Sequence, residues 1–435
     1  MTRPFNFTSY RQAGIAIRSA STKRQCFGNL SLALGSIGPI ASASSSGASG
    51  AMTLLPTAGA LIGAPAKELW ILYKLVPIAG VLSMLLSLGG NIVPNTAGEY
   101  ELEGYNYGGV IATAGGKDDD VDASILSVKH VDPATFAQVV KARAENPLGS
   151  NKRTTVTIGV LFQLFWIVVI IFSCWFTGVG AVVAWWCQGW GWMLAWYLVL
   201  AISSLLENYA LVPFSRQWTM RVSMAPAGIE ISENAPMAFP PSIPGDKQPF
   251  TTSDSKPEPS EIEMTLLQER TATERSERSI PWASNHHSFL VIISVSGISR
   301  GRAALRVFSK AWAVGCFAAG TAAFASTSLI TITVAMSVIA LILGAGVFGR
   351  VASMWMVSEM MKDNPVIHRV VESEVKAEQF IQELFSTQGL VIELMGHVFV
   401  NGRCVERYSQ WWNWSTIFGV LVSRCNIEKL LSRRY

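Results

Sequence analysis

Three aspartates carry the spacing in this chain that most resembles a metal-binding pattern. Asp118, Asp119 and Asp122 lie in the run KDDDVD, and a DDxxD spacing can hold a magnesium–diphosphate group. Such a site needs its carboxylates on one helix face and a second acidic cluster opposite. Glycines precede the run, no helical pattern surrounds it, and the sequence has no second cluster. The pattern therefore favours a solvated acidic turn, and we expect neither a metal nor a cofactor there.

The cysteines and paired histidines are the other residue types that could do chemistry. The six cysteines form neither a CxxC pair nor a spacing typical of a metal site. Three of them, Cys174, Cys187 and Cys316, fall in apolar runs, where we interpret them as small membrane residues. His286 and His287 lie in a polar segment without a Cys or acidic partner, so no metal site is expected there. The other cysteines are Cys26, Cys404 and Cys425.

Known catalytic motifs do not occur in the sequence. It contains no phosphate-binding loop, nucleophile elbow, zinc-protease helix or dinucleotide-binding glycine pattern. We therefore predict no catalytic, cofactor-binding or metal-binding residues, and a protein that is not an enzyme.

The composition indicates what kind of protein must position these residues. Charged residues make up 15% of the chain, hydrophobic residues make up 50%, and the mean hydropathy is +0.33. A soluble domain carries roughly 25% charged residues, so a soluble fold could not cover its surface with these. The net charge of +4 is too small to indicate a nucleic-acid partner. The chain is predicted to be a multi-span membrane protein.

The first membrane region is predicted over residues 51–93. Within it, Leu75 to Val93 is apolar and long enough for one span, because a bilayer core of roughly 30 Å needs about 20 residues. Lys74 precedes this span and is expected to reach the headgroups beside Trp70 and Tyr73.

Two longer uncharged runs predict two helical hairpins, over residues 156–206 and 311–349. The 49 residues from Ile158 to Leu206 contain no charge, which is too long for one span, and the apex is left open between Thr177 and Gly191. The second run has its predicted turn at Ser326–Ser328. A single long tilted helix is the alternative for the second run, because no proline or glycine pair marks that turn.

The polar segments between the spans have distinct compositions. Pro236 to Ser279 is rich in Pro, Ser, Thr, Glu and Arg and predicts disorder. The N-terminal segment has no acidic residue before Glu68, so it is either a disordered tail or a targeting segment, of presequence or signal-peptide type. The predicted segments are an N-terminal tail (1–50), a polar loop (94–155), a disordered linker (207–288), a basic amphipathic segment (289–310) and an interfacial Trp-rich tail (411–435).

A small soluble α+β module is predicted over residues 350–410. The run PVIHRVVES is typical of a strand, and Ser373 is a suitable N-cap for a helix Glu374 to Ser386. Asn401-Gly402 between β-rich runs is the strongest hairpin signal in the chain. Such a module of about 45 residues needs the membrane domain or a partner for stability.

Flanking charges predict the orientation. Cations flank both hairpins at their outer ends and are missing from the apices, which places both long polar loops and the C-terminus in the cytosol. An endomembrane or the plasma membrane is favoured, with a mitochondrial membrane as the alternative because of the Arg- and Ser-rich N-terminus.

Inside the hairpin spans only Gln163 and Gln188 are strongly polar, and small residues favour helix packing over conduction.

Three stretches resemble a group of uncharacterised integral membrane proteins of filamentous fungi. They are ELWILYKLVPIAGVLSMLLSLGGNIVPNTAGEYELEGYNYGGVIATAGG, LILGAGVFGRVASMWMVSEMMKDNPVIHRVV and GHVFVNGRCVER. The resemblance implies a fungal source and brings no activity with it.

The expected protein is α-helical, with about five transmembrane helices (four to six) arranged largely as hairpins, a disordered linker and a small α+β C-terminal module. Its expected function is that of a non-enzymatic membrane scaffold, with a small-solute transporter or channel as the alternative. The expected partners are the lipid bilayer and proteins bound through the cytosolic loops and the C-terminal module.

Overall fold

The computed structural model describes residues 7–62, 67–88, 132–145, 153–225, 289–298, 300–361, 366–394, 397–407 and 419. The predicted acidic turn, the Pro236–Ser279 stretch, the histidine pair and all of the Trp-rich tail except Gly419 lie outside these residues. The helices are α1 Phe7–Arg18, α2 Lys23–Ser36, α3 Pro39–Met52, α4 Leu54–Ile62, α5 Lys67–Leu75, α6 Pro77–Leu86, α7 Pro133–Glu145, α8 Arg153–Gly180, α9 Trp192–Leu211, α10 Arg300–Ala325, α11 Ile332–Met361 and α12 Glu374–Ser386. The strands are β1 Val182–Val183, β2 Phe214–Met224, β3 Phe289–Ser296, β4 Thr327–Ser328, β5 Val366–Val371, β6 Leu390–Leu394, β7 His397–Val400 and β8 Arg403–Arg407.

Four of the described helices, α8, α9, α10 and α11, are long and apolar enough to cross a membrane, which indicates a membrane protein. They form the two predicted hairpins, α8–α9 and α10–α11. The first turns between Gly180 and Trp192, within the predicted interval, and the second turns at Ser326–Ser328 as predicted. The single tilted helix considered for the second run is therefore wrong. The two apices are joined by β1 and β4, which pair antiparallel.

Short helices complete the bundle around these four spans. Helix α8 packs against α9 and α11, and α9 packs against α10. Helices α3 and α4 each contact both α10 and α11, while α6 contacts α8, α9 and α11. The short helices thus lie among the spans and bury apolar faces that lipid would otherwise contact.

The predicted span from Leu75 to Val93 is not one helix. Helix α5 ends at Leu75, Val76 is non-helical with φ −138° and ψ 83°, and α6 begins at Pro77. Helix α6 has 10 residues, and Leu88 just after it has a positive φ of 52°. At about 1.5 Å per residue, α6 is about 15 Å long and reaches only half-way through a bilayer core. The non-helical Val76 and the following Pro77 therefore divide an apolar run that the composition had predicted as one continuous helix.

The N-terminal segment also differs from the predicted disordered tail. Residues 7–52 form α1, α2 and α3, which pack against the hairpin apices. The low charge and many small residues of this segment are compatible with disorder and also with close packing on other helices. Contacts with the hairpin apices stabilise the packed helices. The targeting hypothesis for residues 1–50 stays a prediction.

A six-stranded sheet lies at the opposite end of the bundle, in the order β5-β3-β2-β6-β7-β8. Strands β3 and β5 pair parallel, and the other neighbours pair antiparallel. Helices α7 and α12 cover one face of the sheet. Helix α5 and the end of α11 cover the other face through Leu290 and Ile292 of β3.

The structure corrects four predicted segment boundaries. The soluble module is not confined to residues 350–410, because β2, β3 and α7 belong to the same sheet layer and its cover. The described part of the predicted linker, 207–225, is the end of α9 followed by β2, and the predicted basic segment 289–310 is β3 followed by the first turns of α10. Helix α11 continues to Met361, twelve residues beyond the predicted end of the span.

Local signals within the module are confirmed. The Ser373 side chain accepts a hydrogen bond from the Lys376 N–H and caps α12, whose bounds match the prediction. Asn401 and Gly402 have φ values of 50° and 79° and connect β7 to β8, as expected for a tight hairpin.

Candidate functional site

The centre of the membrane bundle holds a polar cluster built from three helices. Gln163 of α8 donates its side-chain amide to Ser83 Oγ of α6 at 2.9 Å and to Ser353 Oγ of α11 at 2.8 Å. The two serine hydroxyls are 2.7 Å apart. All three side chains are buried, and no described group bonds to Gln163 Oε1. We call these three residues the glutamine–serine cluster.

The C-terminal end of α6 is capped by side chains of α9. Tyr197 donates its hydroxyl to the Leu85 carbonyl at 3.2 Å, and Ser204 donates to the Met84 carbonyl at 3.3 Å. Ser87 adds a second bond to Met84. A helix that ends at membrane depth leaves carbonyls without partners, and backbone of this kind is tolerated only where protein groups bond to it.

A second polar cluster lies at the junction between the sheet and the membrane helices. Lys74 of α5 donates to Gln217 of β2, whose amide donates to Ser294 Oγ of β3 at 2.8 Å. Ser294 Oγ is 2.9 Å from His368 Nε2 of β5. Trp70 packs against His368 with ring centroids 4.9 Å apart. We call the chain from Lys74 to His368 the junction cluster.

Burial controls the charge of Lys74 in the junction cluster. Desolvation, with a smaller contribution from the nearby Arg302, lowers the pKa of Lys74 to about 8. The Lys74 Nζ lies 5.8 and 5.7 Å from the ring centroids of Trp70 and Tyr73, beside these residues as predicted, and its contact with the headgroups stays a prediction.

Arg221 of β2 is a second cation buried beside the sheet. It donates to the Gly419 carbonyl at 2.6 Å and lies 3.9 Å from Glu393 of β6, its cross-strand neighbour. Burial lowers the pKa of Arg221, and Glu393 opposes that shift. Arg221 thus links Gly419 to the sheet.

The N-terminal helices form a third arrangement, at the apex end of the bundle. Cys26 of α2 forms a disulfide with Cys187 in the α8–α9 turn, with the two Cα atoms 6.1 Å apart. Arg18 of α1 donates to the carbonyls of Val179 and Ala181, which caps the C-terminal end of α8. We call α1, α2 and α3 the apex cap.

Helix α3 of the apex cap bonds to the second hairpin. Ser49 donates to the Phe324 and Ala325 carbonyls at 2.9 and 2.8 Å, at the end of α10. Ser45 accepts from the Leu329 N–H at 3.2 Å, just before α11. The cap thus satisfies backbone groups that both apices leave without helical partners.

Some of the residues singled out in the sequence belong to these arrangements, and others do not. Gln163 is central, whereas Gln188 lies at the apex and donates to the Ala20 carbonyl at 3.1 Å. Cys174 and Cys316 are buried free cysteines within spans, as interpreted, but Cys187 is bonded to Cys26 and its interpretation as a small membrane residue was wrong.

Sequence reasoning missed the serines of the bundle and a buried carboxyl residue. Ser83 of α6 and Ser87, the C-cap residue of that helix, are four residues apart, and Ser204 and Asn208 are one turn apart on α9. Pairs of polar residues four positions apart in otherwise apolar runs could have indicated these buried polar contacts. Glu207 is also buried, because α9 extends beyond the uncharged run.

Within the described ranges, no group of three or more His, Cys, Asp or Glu side chains is placed to hold a metal ion. The aspartates of KDDDVD lie outside those ranges. No protein-family model, curated protein or solved structure matches this chain.

Proposed function

We propose that this protein is a non-enzymatic membrane scaffold that presents a partner-binding segment on a rigid cytosolic sheet. The observation that carries the proposal is the pairing of β2 with β3, from Phe214↔Ser296 to Val222↔Phe289. Residues 226–288 lie between these strands in the chain, so both ends of a segment of about sixty residues emerge side by side from the sheet.

The sheet itself supports a presenting role. One face is covered by α7 and α12, and on the other face β2, β3 and β5 pack on α5 and the end of α11, so the sheet is held against the membrane helices. The composition of Pro236–Ser279 predicts a segment without regular structure, and such segments longer than about 12–15 residues are either functional or linkers. The Ser, Thr and Arg content of Pro236–Ser279 suits binding and phosphorylation by cytosolic partners.

The disulfide supports the cytosolic placement of the sheet. Disulfides persist in oxidising compartments and are rare in the cytosol. The Cys26–Cys187 bond lies at the apices, and the sheet lies at the other end of the four spans. The flanking cations of both hairpins give the same orientation.

Replacing the segment tests this proposal directly. Residues 228–286 would be exchanged for Asn-Gly, which leaves a short loop with a favourable turn sequence between Met224 of β2 and Phe289 of β3. We expect the variant to remain in membranes after alkaline carbonate washing and to lose the proteins that co-purify with the full chain. A variant carrying a scrambled 228–286 segment is the length- and composition-matched control, and it should also lose them. Unchanged co-purification in the Asn-Gly variant would contradict the proposal.

A small-solute transporter is the second candidate, favoured by one observation. Helix α6 ends within the bundle beside Tyr197 and Ser204, and discontinuous helices at membrane depth build the substrate sites of many transporters. The glutamine–serine cluster would then face water during transport. Ser353→Cys, labelled with a water-soluble maleimide in membranes, distinguishes the two functions: labelling favours transport, and protection favours the scaffold.

A further inference from the structure

A groove of about 320 Å³ opens on the outer surface of the bundle between α8 and α11. It lies near the apices, between Phe172–Phe176 on α8 and Thr333–Leu341 on α11. Its walls are mostly apolar side chains, including Val334 and Val338. Ligand sites have volumes of about 300–1,000 Å³, so the groove is large enough for one small lipid or part of a larger one.

Ser173 gives the groove a specific chemistry. This serine lines the groove and is 2% exposed, and no described group bonds to its Oγ. A buried hydroxyl without a hydrogen-bonding partner is unfavourable, so an occupant with one hydrogen-bonding group is favoured there. The neighbouring hydroxyl of Ser337 is already used, because it donates to the Thr333 carbonyl at 2.9 Å.

The depth of Ser173 in the membrane determines where the hydrogen-bonding group of the occupant must lie. Helix α8 has 28 residues, which at about 1.5 Å each exceeds a hydrocarbon core of roughly 30 Å by about 12 Å. If α8 is centred, the hydrocarbon boundary falls near Phe176, and Ser173 lies about 5 Å below it. The occupant therefore has its polar group close to the interface and its apolar body deeper.

The aromatic wall favours a rigid, flat body. The rings of Phe172 and Phe176 are stacked, with centroids 6.0 Å apart and planes inclined by 27°. A rigid ring system loses less conformational freedom on binding such a wall than a flexible acyl chain does. We propose that this groove binds a sterol, whose single hydroxyl bonds to Ser173 Oγ and whose rings lie against Phe172, Val338 and Leu341.

Photolabelling tests the proposal. The full-length protein would be reconstituted into phosphatidylcholine vesicles that contain a photoactivatable cholesterol analogue, and the labelled peptides would be mapped. We expect labelling within Phe172–Phe176 and Thr333–Leu341, and we expect excess cholesterol to compete while excess diacylglycerol does not. Labelling spread evenly over the lipid-facing helices, or equal competition by diacylglycerol, would overturn the proposal.

Paired variants make the test specific to the groove. Leu341→Trp fills the deep end of the groove and should abolish most labelling. Met336→Trp is the matched control on α11, because Met336 is exposed and does not line the groove. Ser173→Ala should weaken sterol binding about three- to tenfold through the lost hydrogen bond. Equal labelling of both tryptophan variants would overturn the proposal.

Discussion

Gln163 is a polar side chain whose surroundings explain why the membrane tolerates it. Its amide donates to Ser83 and Ser353, and each of these serines also donates to a backbone carbonyl within its own helix, of Ala79 and Gly349 respectively. The cluster therefore links α6, α8 and α11 through bonds that lipid could not provide.

Replacing Gln163 measures how much this link contributes. Gln163→Leu should lower the free energy of unfolding by only about 1 kcal/mol, because it removes two hydrogen bonds and such bonds between membrane helices average about 0.6 kcal/mol each. The two serines remain within bonding distance of each other, at 2.7 Å. Chemical unfolding in mild detergent gives the value, and Gln163→Glu should destabilise more because it can place a charge there. A Gln163→Leu protein that fails to fold would show that the cluster holds the bundle together.

Lys74 makes the stability of the sheet junction depend on pH. Its pKa of about 8 in the folded protein lies below the ordinary value of 10.5, so between these values the unfolded chain binds more protons. Stability should therefore rise with pH across this window, and the cost of the buried charge is fully present below it. Lys74→Met should remove this rise, as measured by thermal unfolding at a series of pH values in the window. Lys310→Met, which removes an exposed lysine of α10, should retain it.

At the scale of elements, the apex cap shows why helices α1 to α3 belong to the membrane domain. Its disulfide, its arginine cap on α8 and its serines at the second hairpin all join chain segments far apart in sequence. The Cys26–Cys187 bond joins residues 161 positions apart, and closing a loop of that length contributes roughly 5 kcal/mol in the chain-entropy description.

The disulfide predicts a specific pattern on gels. Trypsin that cuts at Lys152 or Arg153 separates the Cys26 segment from the Cys187 segment in the chain. The two fragments should migrate together without reducing agent and separately with it. Cys26→Ser should give separate fragments in both conditions, whereas Cys316→Ser, which removes a free cysteine, should behave as the parent does. Separate fragments from the parent without reductant would show that the bond does not form.

For the whole molecule, the sheet makes the two hairpins one unit. Strand β2 follows the first hairpin and β3 precedes the second, and the two pair over most of their length. Helix contacts between α8 and α11 and between α9 and α10 join the same halves within the membrane. The covalent connection between the halves is therefore only one of several links.

Cleavage of that connection tests this unity. Limited trypsin on membranes opened to the cytosolic side should cut first near Arg270, Arg275 and Arg278, because the surrounding composition offers little apolar surface to bury. Both halves should remain in the membrane and still co-purify in mild detergent. If the two halves separate after this cut, the β2–β3 pairing is wrong. If trypsin cuts first at Arg403 or Arg407 instead, the sheet domain is less well ordered than the 226–288 segment.

The sequence by itself determined the features that depend on local pattern. The 49-residue uncharged run required a hairpin, because a bilayer limits the length of a span, and Ser373 and Asn401-Gly402 marked a helix start and a strand turn through their own backbone preferences. These signals act over a few residues, so they hold whatever the rest of the chain does.

Only the tertiary structure decided the features that join distant segments. Cys26 and Cys187 are 161 residues apart, and the strands of one sheet come from both sides of the 226–288 segment. Hydrophobicity is non-directional, so an apolar run such as Leu75–Val93 can span a membrane or break at Val76 and end among other helices. Which of the two occurs depends on partners such as Tyr197 and Ser204, which donate hydrogen bonds to the carbonyls at the end of α6. No local sequence pattern connects these two residues to that helix end.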